Sequence, residues 1–211
     1  MVSEKAPQKN ESFDLQIGVL ALQGSFREHL SMLRKIGVAG VPVRLPDQLQ
    51  DVEGLIIPGG ESTTMGKLAV DFNLLEPLRE FGKSKAIWGT CAGAILLSKD
   101  ARRQQPLLGM MDITVERNAY GRQIASFETE IEFPALQKIS CNGGEFHGVF
   151  IRAPLIASVD GDAVVLSRLS DGSIIAAQQG HLLATAFHPE LTDDDRVHRY
   201  FLTMAQSALG R

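Results

Sequence analysis

The chain has 211 residues, with 21 basic and 25 acidic side chains, which gives a formal charge of −4. This length fits one domain with a real core, and 44% apolar with 22% charged residues excludes a chain that is disordered throughout. The mild acidity offers no electrostatic footprint for nucleic acid or an anionic membrane, and no apolar run approaches the roughly 18 residues that span a bilayer.

The N-terminal segment is polar and has no apolar run, so the sequence predicts no signal peptide there. We expect residues 1–14 to be a disordered extension and residues 15–211 to form a single domain. Two cysteines, Cys91 and Cys141, are too few for a disulfide framework or a zinc knuckle. They indicate a reducing compartment, so we expect the protein to be cytoplasmic.

The first half of the chain alternates short apolar runs with amphipathic helical patterns. Continuous apolar runs are typical of buried parallel strands, and a three-to-four-residue apolar spacing indicates helices. The predicted strands cover residues 17–22, 41–45, 54–57 and 86–88, and the predicted helices cover 26–36, 62–70, 74–81 and 94–97.

The second half changes to polar–apolar alternation, which predicts largely antiparallel strands joined by Gly/Asp turns. These predicted strands cover residues 124–133, 148–151, 163–169, 173–177 and 182–187. An amphipathic helix closes the chain, with Thr192 as its expected N-cap. The whole pattern predicts an α/β fold with a mostly parallel central sheet, helices on both faces and antiparallel strands in the C-terminal half.

Cys91 lies in the segment Gly89-Thr90-Cys91-Ala92-Gly93, between a predicted strand and a predicted helix. This is the G-x-nucleophile-x-G context, in which flanking glycines relieve the clashes of a tight turn. The turn would direct the thiol to the carboxyl end of the sheet, above a helix N-terminus that favours a thiolate. The alternative is a buried structural cysteine, the commonest role of a free thiol.

His188 is the best candidate for the base that a cysteine nucleophile needs. It follows the apolar run 182–187, and Glu190 lies two residues later, where it can reach back and orient the imidazole. For His29 and His198, on the first and last predicted helices, we expect surface or packing roles. His147 and His181 fall in Gly-rich segments that predict turns.

A rival hypothesis places a metal among His188, Glu190, the acids 193–195 and His198. Three acids in a row are explained as helix N-terminal charges, and the ligand spacing is not that of a metal site. We therefore expect no metal.

The segment from Pro58 to Thr64, Pro-Gly-Gly-Glu-Ser-Thr-Thr, follows a predicted strand and opens a predicted helix. Backbone N–H groups of such a turn can stabilise an oxyanion. The segment is also close to a phosphate-binding loop. However, five residues separate Gly60 from Gly66 instead of four, and Leu68 replaces the magnesium-binding hydroxyl, which excludes nucleotide binding.

The cysteine motif 89–93 and the His-Pro-Glu motif 188–190 together resemble those of the class I, or triad, glutamine amidotransferases. More narrowly, the chain is similar to the glutaminase subunits of pyridoxal 5′-phosphate synthase. The segments that carry this second resemblance are 18–25, 57–64, 117–123 with 126–128, 148–154 and 184–191. The resemblance implies a three-layer, flavodoxin-like fold and the hydrolysis of L-glutamine to L-glutamate and ammonia.

The resemblance also implies roles for individual residues. Cys91 would be the nucleophile, His188 the acid/base and Glu190 its orienting partner. Gly60 and Glu61 would form the oxyanion hole, and Gln23 would lie on the partner-facing side. The implied glutamine contacts are Gly60, Glu61, Ser62, Arg117, Ile151 and Arg152. The implied partner is a (β/α)8-barrel synthase subunit that receives the ammonia in a large hetero-oligomer, and no cofactor is implied for this chain.

Two other functions stay open at this point. One is a different class I amidotransferase or a γ-glutamyl thiol hydrolase, and the other is a catalytically silent regulatory module with the same fold. An intact Cys/His/Glu set argues against the silent module, because a relic site has no need of all three side chains.

Overall fold

The computed structural model describes residues 14–117, 126–140 and 144–210. Cys141 and the start of the predicted strand 124–133 lie outside the described residues, as does nearly all of the expected N-terminal extension.

The described residues form twelve strands and five α-helices. The strands are β1 Gln16–Leu20, β2 Ala39–Val43, β3 Gly54–Ile57, β4 Ala86–Thr90, β5 Ser98–Asp100, β6 Met111–Glu116, β7 Ser126–Glu132, β8 Glu145–Ile151, β9 Leu155–Val159, β10 Val164–Arg168, β11 Ile174–Gln179 and β12 Leu182–Thr185. The helices are α1 Phe26–Lys35, α2 Ser62–Asp71, α3 Leu75–Phe81, α4 Ala92–Leu97 and α5 Arg196–Ala208.

Ten of these strands form one sheet, in the order β2-β1-β3-β4-β12-β11-β9-β6-β5, with β10 paired to β11. From β2 to β12 every pairing is parallel, whereas β12, β11, β9 and β6 pair antiparallel. Strands β7 and β8 form a separate antiparallel ribbon. The predicted fold class is confirmed, with the antiparallel strands in the C-terminal half.

The parallel strands are apolar throughout because helices cover both of their faces. In β4 all five residues are buried, and alternate side chains enter two different cores. One core packs β3 and β4 against α2, α3 and α4, while the other packs them against α1 and α5. In the part of the chain that the structure describes, no helix has the length and apolar character that a membrane span requires.

Three strands, β5, β6 and β9, were not predicted. Strand β5 has only three residues, and β6 pairs with β9, far along the chain, so that local patterning gave little signal for them. Two local predictions were wrong. His147 lies in the middle of β8 rather than in a turn, and α5 begins at Arg196, where Asp195 is the N-cap residue. Thr192 instead accepts a hydrogen bond from the Asp194 N–H at 3.2 Å, one turn before the helix.

The parallel strands place their carboxyl ends along one edge of the sheet, which is where open α/β folds assemble sites. The segments that follow β1, β3, β4 and β12 contain Gln23, Gly60, Cys91 and His188 respectively.

Candidate active site

Cys91 occupies a strained turn between β4 and α4. Its backbone has φ 48° and ψ −103°, a conformation that costs a non-glycine residue about 1–3 kcal/mol. The turn is held by the Cys91 N–H, which donates to the Thr185 carbonyl of β12 at 2.8 Å. Gly93 has no room for a side chain, since a Cβ there would lie 2.0 Å from the Ile57 carbonyl oxygen. The local geometry is the one that the glycine-flanked cysteine predicts.

His188 lies beside Cys91, three residues after the end of β12. Its N–H donates to the Val149 carbonyl of β8 at 2.8 Å, and its Nδ1 lies 2.8 Å from Oε1 of Glu190. A Cβ on Gly59 would lie 2.4 Å from Cε1 of His188 and 3.4 Å from Cβ of Cys91. Gly59 is thus the point where the predicted oxyanion turn meets both Cys91 and His188.

Charge is stabilised on both members of the His188–Glu190 pair. Burial opposes a charged imidazole, but hydrogen bonds to Cys91 and Glu190 outweigh it and raise the pKa of His188 to about 10. Burial also opposes the Glu190 carboxylate, but His29, His188 and Ser25 around it hold the pKa of Glu190 well below its usual range. At neutral pH the pair is therefore an imidazolium hydrogen-bonded to a carboxylate.

Two further side chains that the sequence did not predict at the site, Ser25 and His29, contact Glu190, and a third, His198, contacts His29. The Ser25 hydroxyl donates to Oε1 of Glu190 at 2.6 Å, and Nε2 of His29 lies 3.4 Å from Oε2. His198 stands behind His29, with its Nε2 3.0 Å from Nδ1 of His29.

Both of these histidines are fully buried, which fits the packing role and excludes the surface role among the two expected for them. A signal was present in the sequence, since each shares the helical spacing of its apolar neighbours. His29 is one turn before Leu33, and His198 precedes Phe201 by three residues.

The predicted oxyanion turn lies between β3 and α2. Glu61 is the N-cap of α2, where its carboxylate accepts from the N–H groups of Thr63 and Thr64 at 3.3 and 2.7 Å. The Thr64 hydroxyl bond is the main cause that lowers the pKa of Glu61 to about 2, and Arg117 adds to it. The backbone N–H of Glu61 donates to Oε1 of Gln23 at 2.8 Å. This N–H, which was predicted to stabilise the oxyanion, therefore already has a hydrogen-bond acceptor.

Gln23 belongs to a turn after β1 that braces the oxyanion turn. The Ser25 N–H donates to the Gly59 carbonyl at 3.0 Å. Gly24 has φ 92°, and a Cβ there would lie 1.8 Å from the Gly59 oxygen. A Cβ on Gly60 would likewise lie 2.4 Å from Oε1 of Gln23. The two turns fit together so closely that a displacement of one would move the other.

The predicted glutamine contacts fall into two groups. Gly60, Glu61 and Ser62 are consecutive, and Arg117 joins them through an ion pair with Glu61 at 2.6 Å. The Ser62 hydroxyl is buried and donates to Gln105 at 3.3 Å.

Ile151 and Arg152 form the second group, at the end of β8, two residues beyond the carbonyl that accepts from His188. Both are exposed, and Arg152 has φ 46°, a strained backbone for a non-glycine residue. The first group follows Gly59, which borders both Cys91 and His188, and the second follows Val149, which accepts from the His188 N–H.

A cavity of about 1130 Å³ lies elsewhere, between β7 and β10, and none of the predicted site residues lines it. The carboxyl edge of the sheet is the better candidate, because it combines a nucleophile, a base and an orienting acid, which that cavity lacks.

Known proteins resemble this chain over most of its length. The model of the SNO glutamine amidotransferase family matches residues 19–207. The chain is 55% identical to pyridoxal 5′-phosphate synthase subunit PdxT of Chloroflexus aurantiacus over 90% of this chain and all of that protein. It is 53% identical to the PdxT subunit of Moorella thermoacetica over 90% of this chain and 99% of that protein.

Two solved structures are also similar. A crystal structure of a glutamine amidotransferase is 46% identical, covers 90% of this chain and 98% of that chain, and superposes with a TM-score of 0.83. PurLQS of Thermotoga maritima is 18% identical, covers 93% of this chain and 98% of that chain, and has a TM-score of 0.68, which shows a shared fold only.

Proposed function

The chain belongs to the SNO glutamine amidotransferase family, and we propose that it is the glutaminase subunit of a pyridoxal 5′-phosphate synthase. In that role it hydrolyses L-glutamine to L-glutamate and delivers the ammonia to the synthase. The observation that carries the proposal is His188, which is hydrogen-bonded to Glu190 and lies beside Cys91 at the carboxyl edge of the sheet.

The proposed chemistry uses these three residues in sequence. The Cys91 sulfur attacks the side-chain amide carbon of glutamine as a thiolate, paired with the His188 imidazolium, and the carbonyl electrons move onto oxygen to form a tetrahedral oxyanion. When the oxyanion collapses, the C–N bond breaks, and the His188 imidazolium protonates the nitrogen, which leaves as ammonia. The neutral His188 then takes a proton from a water molecule whose oxygen attacks the γ-glutamyl thioester; the C–S bond breaks, glutamate leaves, and the Cys91 thiolate and His188 imidazolium are restored. Glu190 keeps the imidazole oriented through Nδ1.

The oxyanion hole in this proposal is built from backbone N–H groups at Gly60 and Glu61. The Glu61 N–H is hydrogen-bonded to Gln23, so it must exchange that acceptor for the oxyanion during reaction. Gln23 projects from the turn that also braces Gly59, at the edge where a partner would receive ammonia. We therefore infer that partner binding at Gln23 adjusts the oxyanion turn, which predicts weak activity for the isolated chain.

The glutamine contacts are proposed on both sides of the thiol. Gly60, Glu61 and Ser62 would line one side, and Ile151 and Arg152 the other. Arg117 or Arg152 would pair with the substrate carboxylate, for which a guanidinium provides a bidentate donor. Arg117 would then interact with both the substrate carboxylate and the Glu61 carboxylate.

We also propose that the partner is a (β/α)8-barrel synthase subunit and that the two proteins form a large hetero-oligomer. We expect this chain to be cytoplasmic and to form one folded domain over residues 15–211. The support for the partner is the name of the PdxT relatives, each a subunit of pyridoxal 5′-phosphate synthase.

The decisive experiment measures ammonia release from glutamine with and without the purified synthase subunit. We expect slow release alone, stimulation by the partner, and loss of nearly all activity in Cys91→Ala. Cys141→Ala is the matched control and should keep wild-type activity. Activity that survives in C91A would contradict the triad, and full activity without any partner would contradict the subunit assignment.

The same assay separates the alternative functions. A silent regulatory module would release no ammonia under any condition. A γ-glutamyl thiol hydrolase would cleave γ-glutamyl peptides faster than glutamine and would ignore the synthase subunit. A glutamine-like electrophile gives an independent test, since it should label Cys91 and spare Cys141.

A further inference from the structure

A buried pair of histidines lies directly behind the triad, between α1, α5 and β4. His29 and His198 are both fully buried, and the Trp88 ring meets them edge-on at centroid distances of 5.4 and 4.9 Å. Nδ1 of His29 lies 3.0 Å from Nε2 of His198, so one ring donates a hydrogen bond to the other. The mechanism proposed above uses neither ring.

The two oxygens of the Glu190 carboxylate have unequal environments. Oε1 accepts from the Ser25 hydroxyl and from His188, whereas Oε2 has no hydrogen-bond partner among the residues that the structure describes. Nε2 of His29 lies 3.4 Å from Oε2. A carboxylate oxygen that is fully buried without a donor is costly, so a small rotation that shortens this contact is favourable.

The contacts of the two rings select one arrangement of protons. Nδ1 of His198 has no hydrogen-bond partner in the described part of the chain, so the His198 proton is better placed on Nε2, from which it forms a hydrogen bond to Nδ1 of His29. The His29 proton must then be on Nε2, which faces Oε2 of Glu190 and, at 3.3 Å, the Thr90 hydroxyl. The opposite arrangement would point a bare nitrogen lone pair at a carboxylate, which is repulsive.

We propose that His29 is a positioning residue for the triad. Its Nε2–H holds Oε2 of Glu190, so that Oε1 stays on Nδ1 of His188, and His198 fixes the His29 tautomer. This inference rests on the proposed glutaminase function, because its purpose is to keep His188 aligned with Cys91.

A neutral donor is suited to this position. Burial is the main cause that lowers the pKa of both His29 and His198, while the charge of Glu190 raises the pKa of His29 in part. Burial thus favours the neutral form of each ring, in which His29 would donate a hydrogen bond to Glu190 without acting as a second cation that competes with His188 for the carboxylate. The groups that face Glu190 are then Ser25 and His29 from the α1 side and His188 from its own segment, with Cys91 beyond His188.

The test compares His29→Phe, which keeps a ring but removes the donor, with His29→Gln, whose amide N–H reaches the position of Nε2. Glutamine hydrolysis is measured against pH in the complex with the synthase subunit. In the isolated chain, the rate of Cys91 alkylation by iodoacetamide is followed against pH by mass spectrometry. Thermal unfolding of each variant reports how much folded protein is present.

For H29F we expect kcat to fall about 10- to 100-fold with little change in KM, since a hydrogen bond to a charged group is lost. The acid limb of both pH profiles should move to higher pH, because a less stabilised Glu190 carboxylate supports the His188 imidazolium less well. H29Q should recover most of the activity and the wild-type acid limb.

If H29F does not fold, the His198→Phe variant is tested instead. This variant keeps His29 but removes the donor that fixes the tautomer of the His29 ring. An unchanged acid limb in the folded variants, or an activity loss that merely follows lost folded protein, would overturn the inference. Failure of the wild-type complex to hydrolyse glutamine would instead overturn the proposed function, while the alkylation profiles would still report on His29.

Discussion

Glu190 depends on several side chains from distant parts of the sequence, and Ser25 is the closest of them. Its hydroxyl donates to the same oxygen that accepts from His188. A carboxylate that is buried and doubly hydrogen-bonded keeps its charge and its orientation, which a base at the end of a strand cannot ensure alone.

The first prediction therefore concerns Ser25→Ala. Loss of a hydrogen bond to a charged group should lower kcat about tenfold while KM for glutamine stays nearly constant. Steady-state glutaminase assays of the complex measure this. Ser207→Ala is the matched control, since that hydroxyl is exposed on α5 and bonds only to the Thr203 carbonyl of its own helix. Equal losses in the two variants would argue against a specific role for Ser25.

The second prediction concerns Gly59, where the catalytic groups approach the backbone most closely. In Gly59→Ala the added Cβ would lie 2.4 Å from the His188 ring, so the imidazole must move away from Cys91. We expect at least a hundredfold loss of kcat with the chain still folded, because a misplacement of about 1 Å can cost that much. Gly144→Ala is the control, since the nearest atom of the described residues would lie 3.4 Å from its Cβ. Wild-type activity in G59A would contradict the close approach of Gly59 to the His188 ring.

At the scale of the element, the start of α2 combines a structural cap with a predicted substrate contact. Glu61 accepts from two backbone N–H groups and from the Thr64 hydroxyl, and it also pairs with Arg117. The side chain that the family resemblance assigns to glutamine binding is thus also the one that begins the helix.

Removal of this cap gives the third prediction. Glu61→Ala should destabilise the folded chain by about 1 kcal/mol, as is usual when an N-cap side chain is lost. The pKa of Glu61 is lowered from 4.5 to about 2, so its carboxylate stabilises the fold above pH 4.5. That stabilisation disappears as the pH falls through about 2.

Denaturant unfolding at several pH values measures the third prediction. The difference between wild type and Glu61→Gln should be largest above pH 4.5 and should shrink below it. Thr64→Val, which removes one donor to the carboxylate, should weaken this pH dependence. A difference that stays constant down to the acid limit would contradict the role of the carboxylate as a charged cap.

Local patterning predicted the parallel half of the fold well. The apolar run of β3 is bounded by Gly54 and by Pro58, and the structure has the same strand. Family membership and fold class are both confirmed by the comparisons. The strands β6 and β9 were missed because they are stabilised by each other across a long sequence separation.

The His147 prediction failed for a related reason. The nearby glycines suggested a turn, but the residue is held in β8 by pairing with β7, and its ring lies between Glu128 and Glu130. His29 was missed as a neighbour of the triad because helical spacing shows which face is buried, but not what that face meets. In this fold it meets Glu190, which comes from the other end of the chain.

At the scale of the whole molecule, one sheet separates two cores. The first core contains residues from α2, α3 and α4, and the second contains α1 and α5 together with the β7–β8 ribbon. Alternate side chains of β3 and β4 pack in the two cores, so neither core can unfold without disrupting these two strands.

The fourth prediction follows from this arrangement and from the expected single domain over residues 15–211. Calorimetry should show one cooperative unfolding transition, and circular dichroism and Trp88 fluorescence should report the same midpoint. Trp88 is the only tryptophan and is fully buried in the second core. Two separated transitions, with the ribbon unfolding first, would contradict the single-domain prediction.

The neighbouring positions of β4 and β12 have a consequence for how this protein can change. Nucleophile and base follow two strands that are hydrogen-bonded side by side, and the Cys91 N–H is itself tied to Thr185. The strands β5, β6, β9, β10 and β11 lie between β4 and β12 in sequence but not between them in the sheet. Changes of length in this intervening segment can therefore leave the spacing of the two strand ends unaltered, as long as Val149 of β8 still accepts the hydrogen bond from the His188 N–H. The direct pairing of β4 with β12 confines the tolerance for remodelling to the parts of the segment away from β8.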